Sequence, residues 1–524
     1  MRRLRRRVPG RGDCPPVSFF LFEDDRPGAF RLIGRLFFTE MMTASKRNLY
    51  ARWLPVAALL AAVSPYLMRQ LWFDEALTVL EFSLCSSPAD IYTSYVIPNN
   101  HILFTMVIHY WIKLQPSWLA LDLWLRLPSL FCAIGLLLYM GRRVRRFCGA
   151  LPLAVTLATL AISPPFLVYA TAVRGYMLGA LLVAVALGSA LDFCAAYRLR
   201  DLVIYEACVF GAVLTVPSDL AALVGVLLFV CPVLGRRFWL DWRFYLLTLA
   251  VPAAFLVAYL PIWSDFLAVS RLGEGWQERG SSVVCVYVAV FSALGLMTFT
   301  FVWHGVRNVR SRRWHRLLRW AIWLLPIPAA WIFKAAPFPR VYFPLFPVLA
   351  VAAAMGLRDV SLWDWKSNLK PRAGQQTVLI VALLTSFVSW CTLWRSPQVL
   401  SALSERFGGD LGDDFFHAYY LRRGHRPEQV AEALEKLDCK TVYLSFLSDP
   451  WAIRLYHLAR GNRAEYLFDG PRGLVPELPP LTAVILRRDE DPGKLEERFR
   501  RRLHPVAVKA EDFNWRIFIA GEAL

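Results

Sequence analysis

The chain has 524 residues, of which 57% are hydrophobic, and it carries a formal net charge of +19. An ordinary globular chain is about 45–50% apolar, and a basic nucleic-acid-binding protein reaches a high charge by becoming more polar. A high apolar fraction beside a high positive charge therefore excludes a nucleic-acid partner and a disordered chain. It indicates a polytopic membrane protein whose charges are segregated along the sequence.

The first 40 residues differ from the rest of the chain. They begin with six arginines within residues 2–11 and show no clear hydrophobic periodicity. Met41-Met42-Thr-Ala-Ser-Lys-Arg, followed by an apolar run, has the form of a natural membrane-protein start. Our hypothesis is that residues 1–40 are an N-terminal extension upstream of the native start.

Apolar runs long enough to span a membrane follow. A bilayer core of about 30 Å needs about 20 residues in a helix. The predicted spans are 53–71, 121–140, 151–170, 175–197, 202–217, 219–235, 244–263, 283–303, 317–334, 341–357 and 376–394. The apolar stretch within 101–118 is shorter and is predicted to make no independent crossing, as a re-entrant or tilted helix.

The distribution of basic loops sets the orientation. Cytoplasmic loops carry an excess of Lys and Arg. With eleven crossings and a cytoplasmic N-terminus, every strongly basic loop falls inside: 141–146, 197–200, 235–237, 307–319 and 358–372. The predicted fold is an all-α polytopic bundle in the cell membrane, of about 11–13 transmembrane helices because a miscounted pair keeps this parity.

The composition changes after residue 396. Helical patterns at Pro427–Leu437 and from Pro450 to near Gly461 alternate with strand patterns. The predicted strands are Thr441–Phe446, Leu481–Arg487, His504–Ala510 and Trp515–Ala520. We therefore predict a transmembrane domain at 41–396 and a small soluble α/β domain at 397–524, on the outer side.

Candidate chemistry lies in the first outer loop, 72–100. Asp74 and Glu75 stand side by side just after the first span. A carboxylate there can accept a proton from a hydroxyl nucleophile or coordinate a divalent cation. The alternative is that the pair merely begins an interfacial helix, where acidic residues are favourable.

Polar residues at three later positions are predicted on the same side. Asn100 and His101 stand at the end of the first loop. Arg174 stands between the third and fourth spans and Arg340 just before the tenth, and Tyr176 and Tyr342 are the second residues of the fourth and tenth spans. Placing an arginine between apolar runs costs free energy unless the side chain is paired or lies at a water-filled site. Its guanidinium can donate two parallel hydrogen bonds to phosphate oxygens. The alternatives are a turn with a helix cap at 98–101 and an interfacial anchor at 340–342.

The ordered set of motifs resembles the GT-C fold glycosyltransferases, in particular bacterial proteins related to protein O-mannosyltransferases and aminoarabinose transferases. The matching motifs are Phe73-Asp74-Glu75-Ala76, Asn99-Asn100-His101, Arg126-Leu-Pro-Ser129, Tyr-x-x-x-x-Arg174-Gly-Tyr176 and Arg340-Val-Tyr342-Phe-Pro. The resemblance covers about residues 50–360.

The resemblance implies transfer of a sugar from a polyprenyl-phosphate carrier to a glycan, lipid or protein acceptor on the outer face, with inversion. Asp74, with Glu75, would then be catalytic. Asn100, His101, Arg174, Tyr176, Arg340 and Tyr342 would bind the substrate and its phosphate. The alternative is a transporter or lipid-linked glycan flippase, and a third reading is a non-catalytic scaffold with an outer binding domain.

The sequence does not decide whether the protein binds a metal ion. Relatives often carry an acidic residue shortly before the arginine that corresponds to Arg174, but Ala172 and Val173 stand here. Asp74 is therefore the one metal ligand that the sequence offers, and no cofactor is predicted with certainty. The sugar, the acceptor and the carrier length are also left open.

Overall fold

A computed structural model describes two stretches of the chain, 52–361 and 426–523. The first has gaps at 68, 96, 98–99, 236, 273–278, 300–317 and 333–338, and the second at 446–447, 469–474, 489 and 507–514. Leu49, Ile380 and 383–387 are also described. These residues belong to one compact unit, Asn48–Leu524. The predicted extension 1–40, most of the last predicted span and the start of the predicted C-terminal domain lie outside the described residues.

Helices account for most of the first stretch. They are α1 (Arg52–Ala62), α2 (Ser64–Leu67), α3 (Phe73–Leu77), α4 (Pro88–Thr93), α5 (Ile102–Ile112), α6 (Leu121–Arg143), α7 (Arg145–Cys148), α8 (Ala150–Ala161), α9 (Pro164–Thr171), α10 (Tyr176–Ala196), α11 (Leu199–Thr215), α12 (Asp219–Leu234), α13 (Trp242–Tyr259), α14 (Trp263–Leu272), α15 (Arg279–Leu294), α16 (Leu318–Ala321), α17 (Pro326–Ile332) and α18 (Phe346–Ser361). A π-helical turn covers Thr78–Ser83, and 3-10 turns cover Phe238–Leu240, Leu260–Ile262, Ile322–Leu324 and Pro339–Leu345.

Several of these helices suit a membrane. Among the described residues, four segments are long and apolar enough to cross it: Leu121–Arg143, Tyr176–Ala196, Trp242–Arg271 and Pro339–Arg358. The pair α8 and α9, bent by 70°, makes a fifth if it is one span. The protein is therefore a multi-pass membrane bundle, and the predicted eleven crossings stay a prediction. Helix α5 has 11 residues, which at about 1.5 Å each is too short to cross a bilayer core.

Helix α10 lies at the centre of the bundle and packs against α6, α11 and α12. Its sequence is apolar on all sides, as expected of a helix surrounded by other helices. Small residues allow the close approach: a Cβ on Gly188 would lie 2.4 Å from the Tyr139 hydroxyl oxygen. The polar residues that precede α10, at 174–175, are therefore placed in the middle of the molecule.

The two ends of the bundle differ in charge. At one end, Arg143 and Arg146 pair with Asp192, Arg358 donates to the Phe147 carbonyl, and Arg319 donates to the Phe229 carbonyl at 3.2 Å. These four arginines belong to loops predicted on the cytoplasmic side. The other end, where α6 and α10 begin, holds the residues predicted to carry chemistry.

The second stretch contains a mixed sheet flanked by helices. The strands are β1 (Thr441–Leu444), β2 (Glu465–Leu467), β3 (Ala483–Arg487), β4 (Arg501–Val506) and β5 (Trp515–Ala523), and the helices are α19 (Pro427–Leu437), α20 (Pro450–Ala459) and α21 (Pro492–Phe499). The strand order is β2-β1-β3-β5-β4, with β1 parallel to β2 and β3, and β5 antiparallel to β3 and β4. The predicted α/β character of this region is confirmed, and β2 is the strand that the sequence did not predict.

Candidate functional site

Asp74 lies in a short helix at the end of the bundle opposite the basic loops. Helix α3 begins directly after an extended Trp72 and passes into the π-helical turn Thr78–Ser83. Single π-helical turns are frequent at functional sites. The Asp74 side chain is 13% exposed, and its Oδ2 lies 3.0 Å from Nη2 of Arg340. The two predicted residues Asp74 and Arg340 are therefore brought together, with the carboxylate still accessible.

Glu75 points the other way, into the protein, and is fully buried. Its Oε1 accepts from Arg126 Nη1 at 2.7 Å and from the Val173 N–H at 2.9 Å, and it lies 3.3 Å from Arg69 Nη2. Oε2 accepts from Arg126 Nη2 at 3.0 Å and from the Trp72 N–H at 3.1 Å. This carboxylate is saturated with donors.

The charge state of Glu75 follows from these partners. Burial raises its pKa, but the charges of Arg126 and Arg69, together with hydrogen bonds from Arg126 and the Val173 N–H, outweigh burial and hold the pKa below its ordinary value. A carboxylate that stays charged and has five donor contacts is a poor proton acceptor. The geometry of Glu75 favours a positioning role for this residue.

Arg126 joins three segments at this end of the bundle. Besides Glu75, it donates to the carbonyls of Thr171 at 2.8 Å and Gln70 at 3.1 Å. Its side chain is completely buried. In the sequence, Arg126 is recognisable only as part of a family motif, because an arginine inside an apolar run gives no indication of its partner 51 residues earlier.

His101 and Arg174 form a second buried pair beside Asp74. The Gly175 N–H donates to His101 Nδ1 at 2.8 Å, and Arg174 Nη2 lies 3.1 Å from His101 Nε2. Arg174 Nη1 also donates to the Thr78 hydroxyl at 3.1 Å and approaches the Asp74 carbonyl at 3.5 Å. The hydroxyl of Thr78, which the sequence analysis did not identify, donates to the same carbonyl at 2.8 Å.

The protonation of His101 decides what this pair of side chains can bind. Burial and the charges of Arg174 and Arg340 hold the His101 pKa well below its ordinary value, so the imidazole is neutral. Since Nδ1 accepts from Gly175, the single ring proton is on Nε2. The proton on Nε2 then faces the Arg174 guanidinium, which can only donate, at 3.1 Å. Two donors that face each other are unfavourable, and an oxygen with negative charge between them would accept from both.

Aromatic rings line this group. The Tyr176 ring lies edge-on to His101, with centroids 4.7 Å apart, and the Arg174 guanidinium lies 5.7 Å from the Tyr176 centroid. The Arg340 guanidinium lies 5.6 Å from the Trp72 ring. Tyr342 lies two residues after Arg340 in the 3-10 turn and is buried, and its hydroxyl has no hydrogen-bond partner in the part of the chain that the structure describes.

Asn100 does not join this group through its side chain. Its Nδ2 donates to the carbonyls of Ile91 at 2.8 Å and Ser94 at 3.2 Å, which are in and just after α4. The side chain is 1% exposed. These contacts fold the loop 88–100 onto itself, so the geometry favours a structural role over the predicted contact with substrate.

A buried carboxyl group at the start of α12, that of Asp219, packs against α10 one helical turn after the place where His101 packs. Asp219 is fully buried, and among the described residues neither of its carboxyl oxygens has a hydrogen-bond partner. It contacts Gly179 so closely that a Cβ there would lie 2.2 Å from its Oδ2. His101 occupies the equivalent position at Gly175, four residues earlier, so the two polar side chains follow one another on one face of α10.

The described residues offer no metal site. No group of three or more His, Cys, Asp and Glu among them is arranged to hold an ion. The Asp74 carboxylate is paired with Arg340, and the nearby buried pair contains Arg174. Positive groups around a carboxylate disfavour the binding of a divalent cation there.

Gly175 tests the position of the imidazole. A Cβ there would lie 2.6 Å from Thr215 Cγ2 and 2.9 Å from His101 Nδ1, so Gly175→Ala must displace the ring from Arg174. We expect the rate of the sugar transfer that the family resemblance implies to fall at least about tenfold with the protein still folded. A displacement of a catalytic group by about 1 Å can lower a reaction rate up to about 100-fold. Gly280→Ala is the matched control, since nothing lies within 4 Å of a Cβ there. Equal activity of the two variants would contradict the placement of His101.

Another carboxyl group, from the second described stretch, lies close to Asp74 and Glu75. Asp449, at the start of α20, has a φ of 58° and is buried. Burial raises its pKa to about 8, the backbone N–H groups of Ala452 and Phe73 oppose that rise, and the charges of Asp74 and Glu75 add to it. Asp449 is thus close enough to Asp74 for their charges to interact.

The raised pKa of Asp449 predicts a pH-dependent stability. At pH values between the ordinary pKa near 4 and the raised pKa of about 8, Asp449 is charged in the unfolded chain and protonated in the folded one. Its contribution to the free energy of unfolding therefore falls as pH rises through that window. Asn is neutral and accepts a positive φ. We expect the free energy of unfolding of Asp449→Asn, relative to that of the wild type, to increase by on the order of 2 kcal/mol when the pH is raised from 5 to 8. Thermal unfolding at both pH values measures this, and an equal difference at the two values would contradict it.

Comparisons with known proteins identify the fold. The chain matches the crystal structure of ArnT from Cupriavidus metallidurans bound to undecaprenyl phosphate, with a TM-score of 0.53 and 18% identity over 89% of this chain and 97% of that one. It matches the same protein in the apo state with a TM-score of 0.52 and 17% identity, over 89% and 96%. No family model and no curated protein matches the sequence. The similarity of structure shows that the chain has the GT-C fold, as the resemblance of its motifs implied.

Proposed function

We propose that the protein is a membrane glycosyltransferase that moves a sugar from a polyprenyl-phosphate carrier to an acceptor on the outer face of the membrane. The observation that carries the proposal is the placement of an accessible carboxylate, Asp74, beside the two converging donors of His101 and Arg174. A solved structure of the same fold is bound to undecaprenyl phosphate, which supports a carrier of this class.

The donor's phosphate binds at His101 and Arg174. The Nε2–H of neutral His101 and the guanidinium of Arg174 each donate to a phosphate oxygen, and both groups are buried. Donors fixed in a dry site stabilise the negative charge that develops on the departing phosphate, with little reorganisation. Tyr176 packs against both side chains and keeps them in place.

Asp74 is the base in this mechanism. The acceptor oxygen forms a bond to the anomeric carbon as the bond between that carbon and the phosphate oxygen breaks, and Asp74 takes the acceptor proton. The products are the glycosylated acceptor and polyprenyl phosphate, and a single displacement inverts the anomeric centre. In the absence of substrate the Asp74 carboxylate pairs with Arg340, which is placed to move to the phosphate when the donor binds.

Glu75 acts through its neighbours in this proposal, as a positioning residue. Its contacts with Arg126, Arg69 and the Val173 N–H tie α3 to the segment immediately before Arg174. Successive residues of a helix point about 100° apart, so a buried Glu75 directs Asp74 toward the accessible side. The carboxyl oxygens of Asp219, which begins α12 and packs against α10 at Gly179, are acceptors for hydroxyl groups of the sugar.

The outer-face direction rests on the charge of the two ends. Arg143, Arg146, Arg319 and Arg358 gather at the end opposite Asp74. Since cytoplasmic loops are enriched in Arg and Lys, that end is assigned to the cytoplasm. Asp74, His101 and Arg174 then face the outside, together with the C-terminal sheet domain.

The experiment that tests the proposal measures release of the carrier. Purified protein in liposomes receives undecaprenyl-phosphate sugars, one pentose or hexose at a time, with an extract of envelope glycans and lipids as acceptors. We expect polyprenyl phosphate to form with at least one donor and the sugar to appear in an acceptor. His101→Ala and Arg174→Ala are expected to lower the rate.

The same experiment separates an enzyme from a transporter or flippase. A transporter moves the lipid-linked sugar between leaflets with the bond to phosphate intact, so it forms no polyprenyl phosphate. Movement of the donor across the bilayer without cleavage, unaffected by His101→Ala, would overturn the proposed transfer. A scaffold would give neither cleavage nor movement.

A further inference from the structure

Helix α20 of the C-terminal domain lies directly against α3, which carries Asp74. The Trp451 ring lies edge-on to Phe73, with centroids 4.7 Å apart. A single buried cluster joins residues of both parts: Leu71, Ala76, Leu77, Val79, Phe104, Ile108, Leu125, Val173, Ala431, Trp451, Ala452, Leu455 and Tyr456. A continuous apolar interface of this kind holds two elements in one relative position.

Tyr456 makes the central polar contact of this interface. Its hydroxyl accepts the N–H of Leu71 at 3.0 Å and donates to Asp122 Oδ2 at 3.1 Å. Burial and the Asp122 charge raise the pKa of Tyr456 well above its ordinary value, so the proton stays on the hydroxyl. Asp122 lies one turn before Arg126 on α6. One hydroxyl therefore connects α20, the chain leading into α3, and α6.

Polar pairs at the rim contact the segment on both sides of Asp74. Gln70 Nε2 donates to Glu428 Oε2 at 3.2 Å, and Gln70 Oε1 accepts the Glu428 N–H at 3.2 Å. Arg454 Nη1 donates to Glu81 Oε1 at 2.9 Å. The C-terminal domain thus touches residues 70–73 before Asp74 and Glu81 after it.

We propose that the C-terminal domain fixes the geometry of the active site through α20, and that Tyr456 is a positioning residue for Asp74. This inference rests on the proposed function, in which a displacement of Asp74 slows proton removal. A domain that only tethered an acceptor would contact α3 through exposed side chains, whereas Tyr456 and its partner N–H are buried. The positioning acts on the chain at Leu71, three residues before Asp74.

The test compares two substitutions that each remove one hydroxyl from the same domain. Tyr456→Phe removes the contact with Leu71 and Asp122. Tyr466→Phe, the matched control, removes a 2.6 Å contact with His457 and leaves the 70–81 segment untouched. We expect Tyr456→Phe to lower kcat about 10- to 100-fold with KM for the donor changed less than about threefold, and Tyr466→Phe to change neither.

Hydrogen exchange of the 70–81 segment provides a readout that does not depend on turnover. We expect the Leu71 amide and α3 to exchange at least about tenfold faster in Tyr456→Phe, and at the wild-type rate in Tyr466→Phe. Unchanged exchange, or equal loss of activity in both variants, would overturn the positioning role. If the wild type turns over no donor at all, the proposed function fails, and the exchange measurement still decides whether α20 fixes the segment.

Discussion

Asp74→Asn is expected to lower the rate of sugar transfer by about 10²–10⁴, the usual effect of losing a general base. The substitution keeps the shape of the side chain and removes its ability to accept a proton. Because Asp74 is partly exposed and its partner Arg340 is equally so, the fold should be little affected. The measurement is the initial rate of polyprenyl phosphate release in liposomes, at matched amounts of folded protein.

Asp265→Asn is the matched control for this substitution. Asp265 is exposed in α14, so the same chemical change there should leave the rate at the wild-type value. A variant at Asp74 with full activity and normal expression would exclude Asp74 as the base. Loss of activity in both variants would point to a general effect of charge at the surface.

Arg126→Met is expected to destabilise the protein by about 3–5 kcal/mol, since it leaves a buried carboxylate without its main partner. Arg126 makes both of its strongest contacts with Glu75, and neither side chain is exposed. Thermal unfolding in detergent, with expression level as a second readout, measures the loss. Activity should fall as well, because Glu75 fixes the direction of Asp74.

The double variant Arg126→Met/Glu75→Gln separates two causes of that loss. If the uncompensated charge of Glu75 is responsible, removing the charge should restore part of the stability. The single amide oxygen of Gln can replace Oε1 and accept the Val173 N–H, whereas the amide NH2 leaves the Trp72 N–H without its acceptor. A double variant no more stable than the single one would show that the contacts of Arg126 with the Thr171 and Gln70 carbonyls are decisive instead.

The sequence predicted which segments meet better than it predicted what each side chain does. Asp74, His101, Arg174 and Arg340 stand at the ends of apolar runs, and the parity of the runs was enough to place them together. Their neighbours Glu75 and Asn100 were assigned to the same chemistry because they are adjacent in sequence. In the structure both are buried and bonded to the protein itself, since adjacent residues point in different directions.

Other residues gave no indication in the sequence because their partners are distant. Arg126 depends on Glu75 across 51 positions, and Tyr456 depends on Leu71 across 385. The strands of the C-terminal sheet could be predicted from alternating apolar residues, but β2 has three residues and shows no alternation. The number of crossings was predicted from apolar length and from the positions of the basic loops, and a bent pair of helices such as α8–α9 does not correspond simply to one apolar run.

The most direct measurement is a structure of Asp74→Asn in lipid nanodiscs with an undecaprenyl-phosphate sugar, because we expect this variant to bind the donor and to turn it over slowly. We predict that the phosphate contacts His101 Nε2 and the Arg174 guanidinium, with the anomeric carbon facing residue 74. A phosphate bound elsewhere, such as at the middle of the bilayer between helices, would contradict the proposed site.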